Sequence, residues 1–310
     1  GIIDKGRVYE MPSYISNSRL LTFIYLNFLY LYFSFGKNIV ISDFNPIPLS
    51  MFFSKKQFQL IHDARIIDDF GRWSMLSGFF MKLQWRLVKN TIVVSEFTKS
   101  RLCDVLSVNK LSVTVSYNGV SPSDFELTPE IIEEKPFDLL YVATFEERKN
   151  HTNLIKALFL IEQPLNVIFL GKDLGLKERL VSEANTVEQH NITFKDSVTE
   201  LELGQLYRDS KIFISPSLYE GFGMPILEAY GYGCKVLCSD ISVFHEVLAD
   251  KATYFSPENP KHISDVISSS LITLENTQVN SSVIPAKFLW NNISERLIRD
   301  TTNIAGHINI

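Results

Sequence analysis

From residue 138 to residue 249, short apolar runs take turns with longer mixed ones, and this alternation limits the possible folds more than any other feature of the chain. The runs at 138–143 (DLLYVA), 166–170 (NVIFL), 192–194 (ITF), 211–215 (KIFIS) and 235–238 (KVLC) read as buried strands. Helix-like stretches accompany them at 152–161, 174–188, 199–209, 225–232 and 243–249. Near-continuous apolar strands spaced by helices predict a parallel sheet covered on both faces. The first part of the chain carries a thinner version, with strands expected at 38–44, 58–62, 91–95 and 112–118 and helices at 73–89 and 96–106. Between the two sets, residues 121–137 hold three prolines and five acidic residues, the composition of a linker or domain edge. The expectation is an α/β protein of two doubly wound domains, 1–122 and 123–284, with a C-terminal helix over 285–310 returning towards the first.

Composition bounds the class. With 310 residues, 45% apolar and 21% charged, the chain has the make-up of a globular protein with room for two cores. Cys103, Cys234 and Cys238 lack zinc-like or C-x-x-C spacing and read as buried thiols in a reducing cytosol, so neither a metal site nor a disulfide framework is expected. The net charge of −5 is uneven. Residues 1–122 carry 14 Lys and Arg against 8 Asp and Glu, whereas the remainder carries 16 against 27. A basic first half suits an anionic membrane surface or a phosphorylated acceptor, and equally suits attraction between the two domains. No nucleic-acid partner is expected. Residues 20–35 (LLTFIYLNFLYLYFSF) contain no charge but are too short to span a bilayer comfortably. Apolar all round, they favour a buried helix over one lying in the membrane interface, although the Tyr and Phe content keeps the second reading open. The opening G-I-I-D-K has no secretory character, so a cytoplasmic protein is expected, with peripheral contact at the inner membrane face left open.

The chemistry concentrates in Ser217 to Ala229, S-L-Y-E-G-F-G-M-P-I-L-E-A. It follows a strand-like run, turns through Gly221-Phe222-Gly223 and enters a helix with Pro225 at its expected first position. Such a turn aims the backbone amides of Gly221 to Met224, and the positive end of the helix dipole, at an anion or a hydroxyl-rich ring. Glu220 stands at the mouth and Glu228 about one turn inside the helix. The plain alternative is a tight corner with two solvated glutamates. Thr144 to Asn150 (TFEERKN) occupies another strand-to-helix turn, where Arg148 and Lys149 offer a forked donor and a point charge to phosphate; a solvated basic pair is the plain alternative. Ligands of doubly wound sheets bind beyond the carboxyl ends of strands, so both turns are expected to share one cleft. His62 and Asp63 end a strand of the first half, where an imidazole could meet a ligand, though a lone His is more often structural.

The run Ser217 to Ala229 resembles the E-x7-E motif of the family 4 retaining glycosyltransferases. Shorter matches follow the family's order: I-H-D at 61–63, V-V-S-E-F-T-K-S at 93–100, Y-N-G-V at 117–120, E-R-K-N at 147–150, L-Y-R-D-S at 206–210 and S-V-F-H-E-V-L at 242–248. The resemblance implies a GT-B fold, two Rossmann-like domains facing across a cleft. It implies transfer of a hexose, with mannose a candidate, from a nucleotide-diphosphate sugar to a glycan or lipid-linked glycan of surface polysaccharide, with retention and without a metal or other cofactor. In that reading Glu220 contacts donor-sugar hydroxyls, Gly221, Phe222, Gly223 and Met224 bind sugar and diphosphate through their amides, and Glu228 holds the ribose. Arg148 and Lys149 neutralise the leaving diphosphate, and His62 sits by the reacting carbon from the acceptor side. Two departures stand out. Residues 1–37 show neither the strand nor the Gly-rich loop with which the family's first domain usually opens, so the start is lost or shortened. The position that commonly carries a phosphate-binding arginine is Thr144 here, as in a subgroup of the family.

Two other function classes compete. Gly221-x-Gly223 after a strand, with Asp240 ending the next strand, resembles the dinucleotide fingerprint of a nicotinamide-dependent oxidoreductase, but the third glycine is replaced by Ile226. A non-catalytic nucleotide-sugar binder would bind tightly and turn nothing over.

Overall fold

The computed structural model describes residues 2–4, 7–9, 24, 25, 27–29, 32, 39–43, 56–64, 83, 85–88, 90–106, 113–121, 135–275 and 283–306. The chain forms two compact units, Gly1–Ser116 with Ser294–Ile310, and Tyr117–Ile293. The divisions therefore fall at 116/117 and 293/294, not at 122/123 and 284/285.

The first unit contains a parallel sheet of β3 (Val40–Ser42), β4 (Gln57–Ile61), β5 (Thr91–Val93) and β6 (Val113–Val115), in that order. Phe58, Ile92 and Val93 are buried at its centre, as strands covered on both faces require. Helix α1 (Glu96–Leu106) begins where Ser95 Oγ accepts from the Thr98 amide at 3.0 Å, an N-cap that fixes its start at the predicted residue. Two strands absent from the sequence expectation pair antiparallel near the start of the chain, β1 (Ile2–Asp4) with β2 (Arg7–Tyr9). The Asp4–Arg7 pairing leaves two residues between them, a hairpin spacing the apolar-run criterion does not detect.

A second correction concerns residues 20–35. Ile24, Tyr25, Asn27, Phe28, Leu29 and Tyr32 are helical, yet none of them is buried. Ile24, Phe28 and Tyr32, spaced four apart, are 54%, 67% and 66% exposed, so they form an exposed stripe where a buried helix was expected. Of the helix expected at 73–89, Leu83 and residues 85–87 are helical, Val88 is not, and the rest lies outside the described residues, as do 122–134 of the linker. Among the described residues no helix is long and apolar enough to cross a membrane.

The second unit has a six-stranded parallel sheet. Its strands are β7 (Phe137–Val142), β8 (Asn166–Leu170), β9 (Asn191–Lys195), β10 (Ser210–Ser215), β11 (Lys235–Ser239) and β12 (Thr253–Phe255), in the order β12-β11-β10-β7-β8-β9. The helices are α2 (His151–Phe159), α3 (Lys177–Ala184), α4 (Glu200–Arg208), α5 (Met224–Gly231), α6 (Ser242–Leu248) and α7 (Pro260–Glu275), and α8 (Trp290–Gly306) runs from this unit into the C-terminal part of the first. The central strands bury almost every residue, and Leu139, Leu140, Ile212, Phe213 and Leu237 are wholly enclosed. At one edge, β9 alternates exposed and half-buried residues, as a strand whose two faces are unequally covered does. Helix α3 starts three residues later than its apolar pattern suggests, because Asp173 Oδ1 accepts from the amides of Gly175, Leu176 and Lys177 and holds that stretch as a loop. From β7 the chain winds outward to β9, then crosses back to lay β10 on the other side of β7. The order reverses between β7 and β10, and the crevice at their carboxyl ends is where such a sheet takes a ligand.

Candidate functional site

Two loops leave the sheet at this reversal, 143–150 after β7 and 216–223 after β10. They are joined through their backbones. The Leu218 amide donates to the Arg148 carbonyl at 2.9 Å, and Arg148 Nη1 donates to the Tyr219 carbonyl at 3.1 Å. Below them Tyr141, on β7 and fully buried, donates its hydroxyl to the Lys149 carbonyl at 2.7 Å and lies 3.1 Å from Ser217 Oγ. Burial holds that phenol protonated by pushing its pKa well above the ordinary value.

Asn150 closes the first loop. Its φ of 60° lies in the left-handed region, which Asn tolerates better than most residues, and its side-chain amide donates to the Pro216 carbonyl at 2.9 Å and the Pro257 carbonyl at 2.8 Å. One side chain thus ties the loops after β7, β10 and β12. Beside it, Gly171 makes room for the first loop, since a Cβ there would lie 1.8 Å from the Ala143 carbonyl oxygen. His151 follows as the first residue of α2, with 0% exposure and ring contacts to Tyr141, Phe145 and Phe169. Burial first, and the neighbouring Lys149 ammonium second, lower its pKa to about 3, with Glu146 opposing, so the imidazole is neutral.

The charged groups meet above this base. Lys149 Nζ lies 2.5 Å from Glu220 Oε1 and Arg148 Nη1 3.4 Å from Oε2. Arg148 Nη2 also pairs with Glu146 Oε1 at 2.9 Å, and the Thr144 hydroxyl donates to that same oxygen at 2.7 Å. Two cations and two carboxylates therefore interlock, with side-chain exposures between 12% and 23%. Partial burial strengthens these pairs relative to surface ones. An arriving anion would find the cations already oriented and would compete with the carboxylates for them.

Gly223 precedes α5 with φ +94° and lies so close to Phe244 that a Cβ would approach its ring carbon to 2.7 Å. Helix α5 starts at Met224, which puts Pro225 at its second position, one later than expected. Of the first three residues of α5, Pro225 carries no N–H and the Ile226 amide donates to the Gly223 carbonyl at 3.2 Å, so Met224 alone brings an amide with no earlier helical carbonyl to reach to the crevice end of the sheet. Phe222 is buried against Phe288 and Tyr117, with ring centroids 5.7 and 6.1 Å away. Inside α5, Glu228 Oε2 accepts from the Tyr207 hydroxyl at 2.8 Å.

The structure thus brings Thr144, Arg148, Lys149 and Glu220 into one cluster, with Gly221, Phe222, Gly223, Met224 and Glu228 on the adjoining turn and helix. His62 belongs to the first unit, exposed at the residue after β4. Glu146, Asn150, Tyr141, Ser217 and Tyr207 were assigned no role from sequence. Asn150 has a local signal, an Asn at the entrance to a helix; Glu146 pairs within its own loop, and Tyr141, Ser217 and Tyr207 act through partners distant in the chain. Asp240, the acid of the dinucleotide alternative, pairs with His245 Nε2 at 2.7 Å.

The chain is 31% identical over 171 residues to the O-antigen chain mannosyltransferase RfbU of Salmonella typhimurium, an overlap of 55% of this chain and 47% of that protein. The chain spans about half the length of the curated relatives it matches. Among solved structures, a glycosyltransferase from Rickettsia africae superposes with a TM-score of 0.71 at 18% identity, covering 97% of this chain and 85% of that one. HepE of Anabaena, crystallised with UDP and glucose, superposes with a TM-score of 0.62 at 15% identity, covering 81% of this chain and 70% of that one. These likenesses are of fold, the paired parallel α/β units of the GT-B class. The family profile described as glycosyl transferases group 1 matches residues 124–280, half of the chain and all of the crevice end just described, and the chain belongs to that family.

Proposed function

We propose that this protein transfers a hexose, mannose being the candidate, from a nucleotide-diphosphate sugar to a glycan or lipid-linked glycan acceptor of surface polysaccharide, retaining the anomeric configuration. The observation that carries the reading is the convergence of Arg148, Lys149 and Glu220 on the amide turn 221–224 at the β7/β10 crevice. Departure of a nucleoside diphosphate builds negative charge on phosphate oxygens, and preorganised cations and amides stabilise such charge most when it develops in the transition state. Arg148, Lys149 and the turn amides do this work and no metal is required. Glu220, released from its cation partners by the diphosphate, accepts from hydroxyls of the donor sugar, and Glu228 accepts from the ribose. His62 serves the acceptor side of the reaction.

The mannosyltransferase name of RfbU supports the sugar, and the UDP and glucose bound to HepE support the donor class. Peripheral contact with an anionic membrane belongs to the same reading, since a lipid-linked acceptor lies at a bilayer. It is supported by the exposed Ile24–Phe28–Tyr32 stripe and the basic balance of residues 1–122, and vesicle flotation tests it.

The deciding experiment incubates the protein with a panel of nucleotide sugars and lipid-linked acceptors and follows nucleotide release and product mass. One donor should give release coupled to a product heavier by one hexose. The Glu220→Ala variant should lose transfer, and Arg148→Ala/Lys149→Ala should lose nucleotide affinity. Tight binding with no turnover for any donor would favour a non-catalytic binder, and undiminished transfer by Glu220→Ala would remove that residue from the mechanism.

A further inference from the structure

Glu228 reaches its site on a side chain with three rotatable bonds, so something must fix its carboxylate if it is to meet a ribose. We propose that Tyr207 is the positioning residue for Glu228, and that its hydroxyl sets the discrimination between ribose-bearing and deoxygenated nucleotides. This rests on the reading of Glu228 as the ribose acceptor.

The tyrosine is built to be immobile. It sits on α4, 1% exposed, with its ring stacked on Tyr232 at 5.3 Å and 13° and inclined to Phe213 at 5.8 Å. Its own carbonyl accepts from Cys234 Sγ at 2.9 Å, so the residue is gripped at backbone and ring. Helix α4 is itself anchored by a capping box between Thr199 and Glu202. From this fixed mount the phenol donates to Glu228 Oε2 at 2.8 Å, across to α5. Burial, reinforced by the Glu228 carboxylate, holds the phenol protonated, so it always donates and never competes as an anion. A charge-assisted hydrogen bond from a rigid donor locks the carboxylate rotamer. Glu228 is half-buried. The geometry gives α4 a function no local feature of its sequence announces: it carries the orientation of a binding group on its neighbour.

The test is a double-mutant cycle read by calorimetry. The ligands are the tightest binder among UDP, GDP and ADP, and its 2′,3′-dideoxy counterpart. Tyr207→Phe keeps the ring and removes only the donor. It should weaken the ribonucleotide about tenfold, the scale of one hydrogen bond to a charged group. The dideoxy nucleotide should bind the variant as it binds wild type, and in a Glu228→Ala background Tyr207→Phe should change neither affinity. Equal weakening of both nucleotides by Tyr207→Phe, or weakening of neither, would overturn the inference while leaving Glu228 as the ribose acceptor. A wild-type protein that binds both nucleotides equally would overturn the Glu228 reading itself, and this inference with it.

Discussion

Replacing His151 by leucine should flatten the acid dependence of the second unit's stability. The imidazole is enclosed by Tyr141, Phe145 and Phe169, and its pKa is lowered to about 3 by burial and by Lys149, against the opposing charge of Glu146. In the unfolded chain the same group titrates near an ordinary value of about 6.5. Below that pH the unfolded state takes up a proton that the folded state refuses, so stability falls as pH falls, through a window from about 6.5 down to about 3. Between pH 7.5 and 5.5 the loss amounts to about 1.4 kcal/mol, a tenfold change in the opening equilibrium. Carboxylates stay largely ionised over that interval, and histidines elsewhere contribute equally to both proteins. The assay is native-state hydrogen exchange of peptides from 137–170, corrected for intrinsic rates, on wild type and His151→Leu. Leucine is close in volume and apolar, and whatever it does to packing shifts both pH values alike. Wild type should lose about 1.4 kcal/mol more than the variant on acidification. Parallel pH dependences would refute the account of His151 as a buried neutral imidazole.

Gly223→Ala should destabilise the second unit by about 2–4 kcal/mol, combining a left-handed backbone with overpacking against Phe244, whereas Gly233→Ala, at φ +78° with open space around it, should cost about 1–2 kcal/mol. Urea midpoints measure both, and equal shifts would show that the Phe244 approach is relieved cheaply. In flotation with phosphatidylglycerol vesicles, wild type should rise with the lipid and Phe28→Glu should do so at least about tenfold less, the scale of burying one aromatic side chain. Indifference to the substitution, or equal flotation with neutral vesicles, would count against the stripe as the contact.

The second sheet was legible because its strands bury both faces. Strands β7, β8, β10 and β11 are each a short apolar run, and period alone finds such runs. The short edge strand β12 and the hairpin of β1 and β2 are too brief to rise above the background. In residues 20–35, hydropathy gave the helix but not its neighbours, which is why burial was expected where Ile24, Phe28 and Tyr32 are exposed. At the site, Arg148, Lys149 and Glu220 could be picked out because charged residues at the carboxyl ends of strands point to a ligand. The pairing of Arg148 and Lys149 with Glu220 could not, since it depends on how two loops some 70 residues apart meet. Tyr207 and Glu228 belong to successive helices, and only the packing of α4 beside α5 makes them partners.

The Asn150 amide has a consequence for how the crevice moves. Because one side chain bonds the carbonyls of Pro216 and Pro257 while its own backbone closes the first loop, the three loops share a latch. None of them opens without breaking a bond that belongs to the others, so their fluctuations are those of a single cooperative body and not of three independent flaps. A ligand entering this crevice would therefore meet a rim whose shape is settled beforehand, with the ordering of the loops already met during folding.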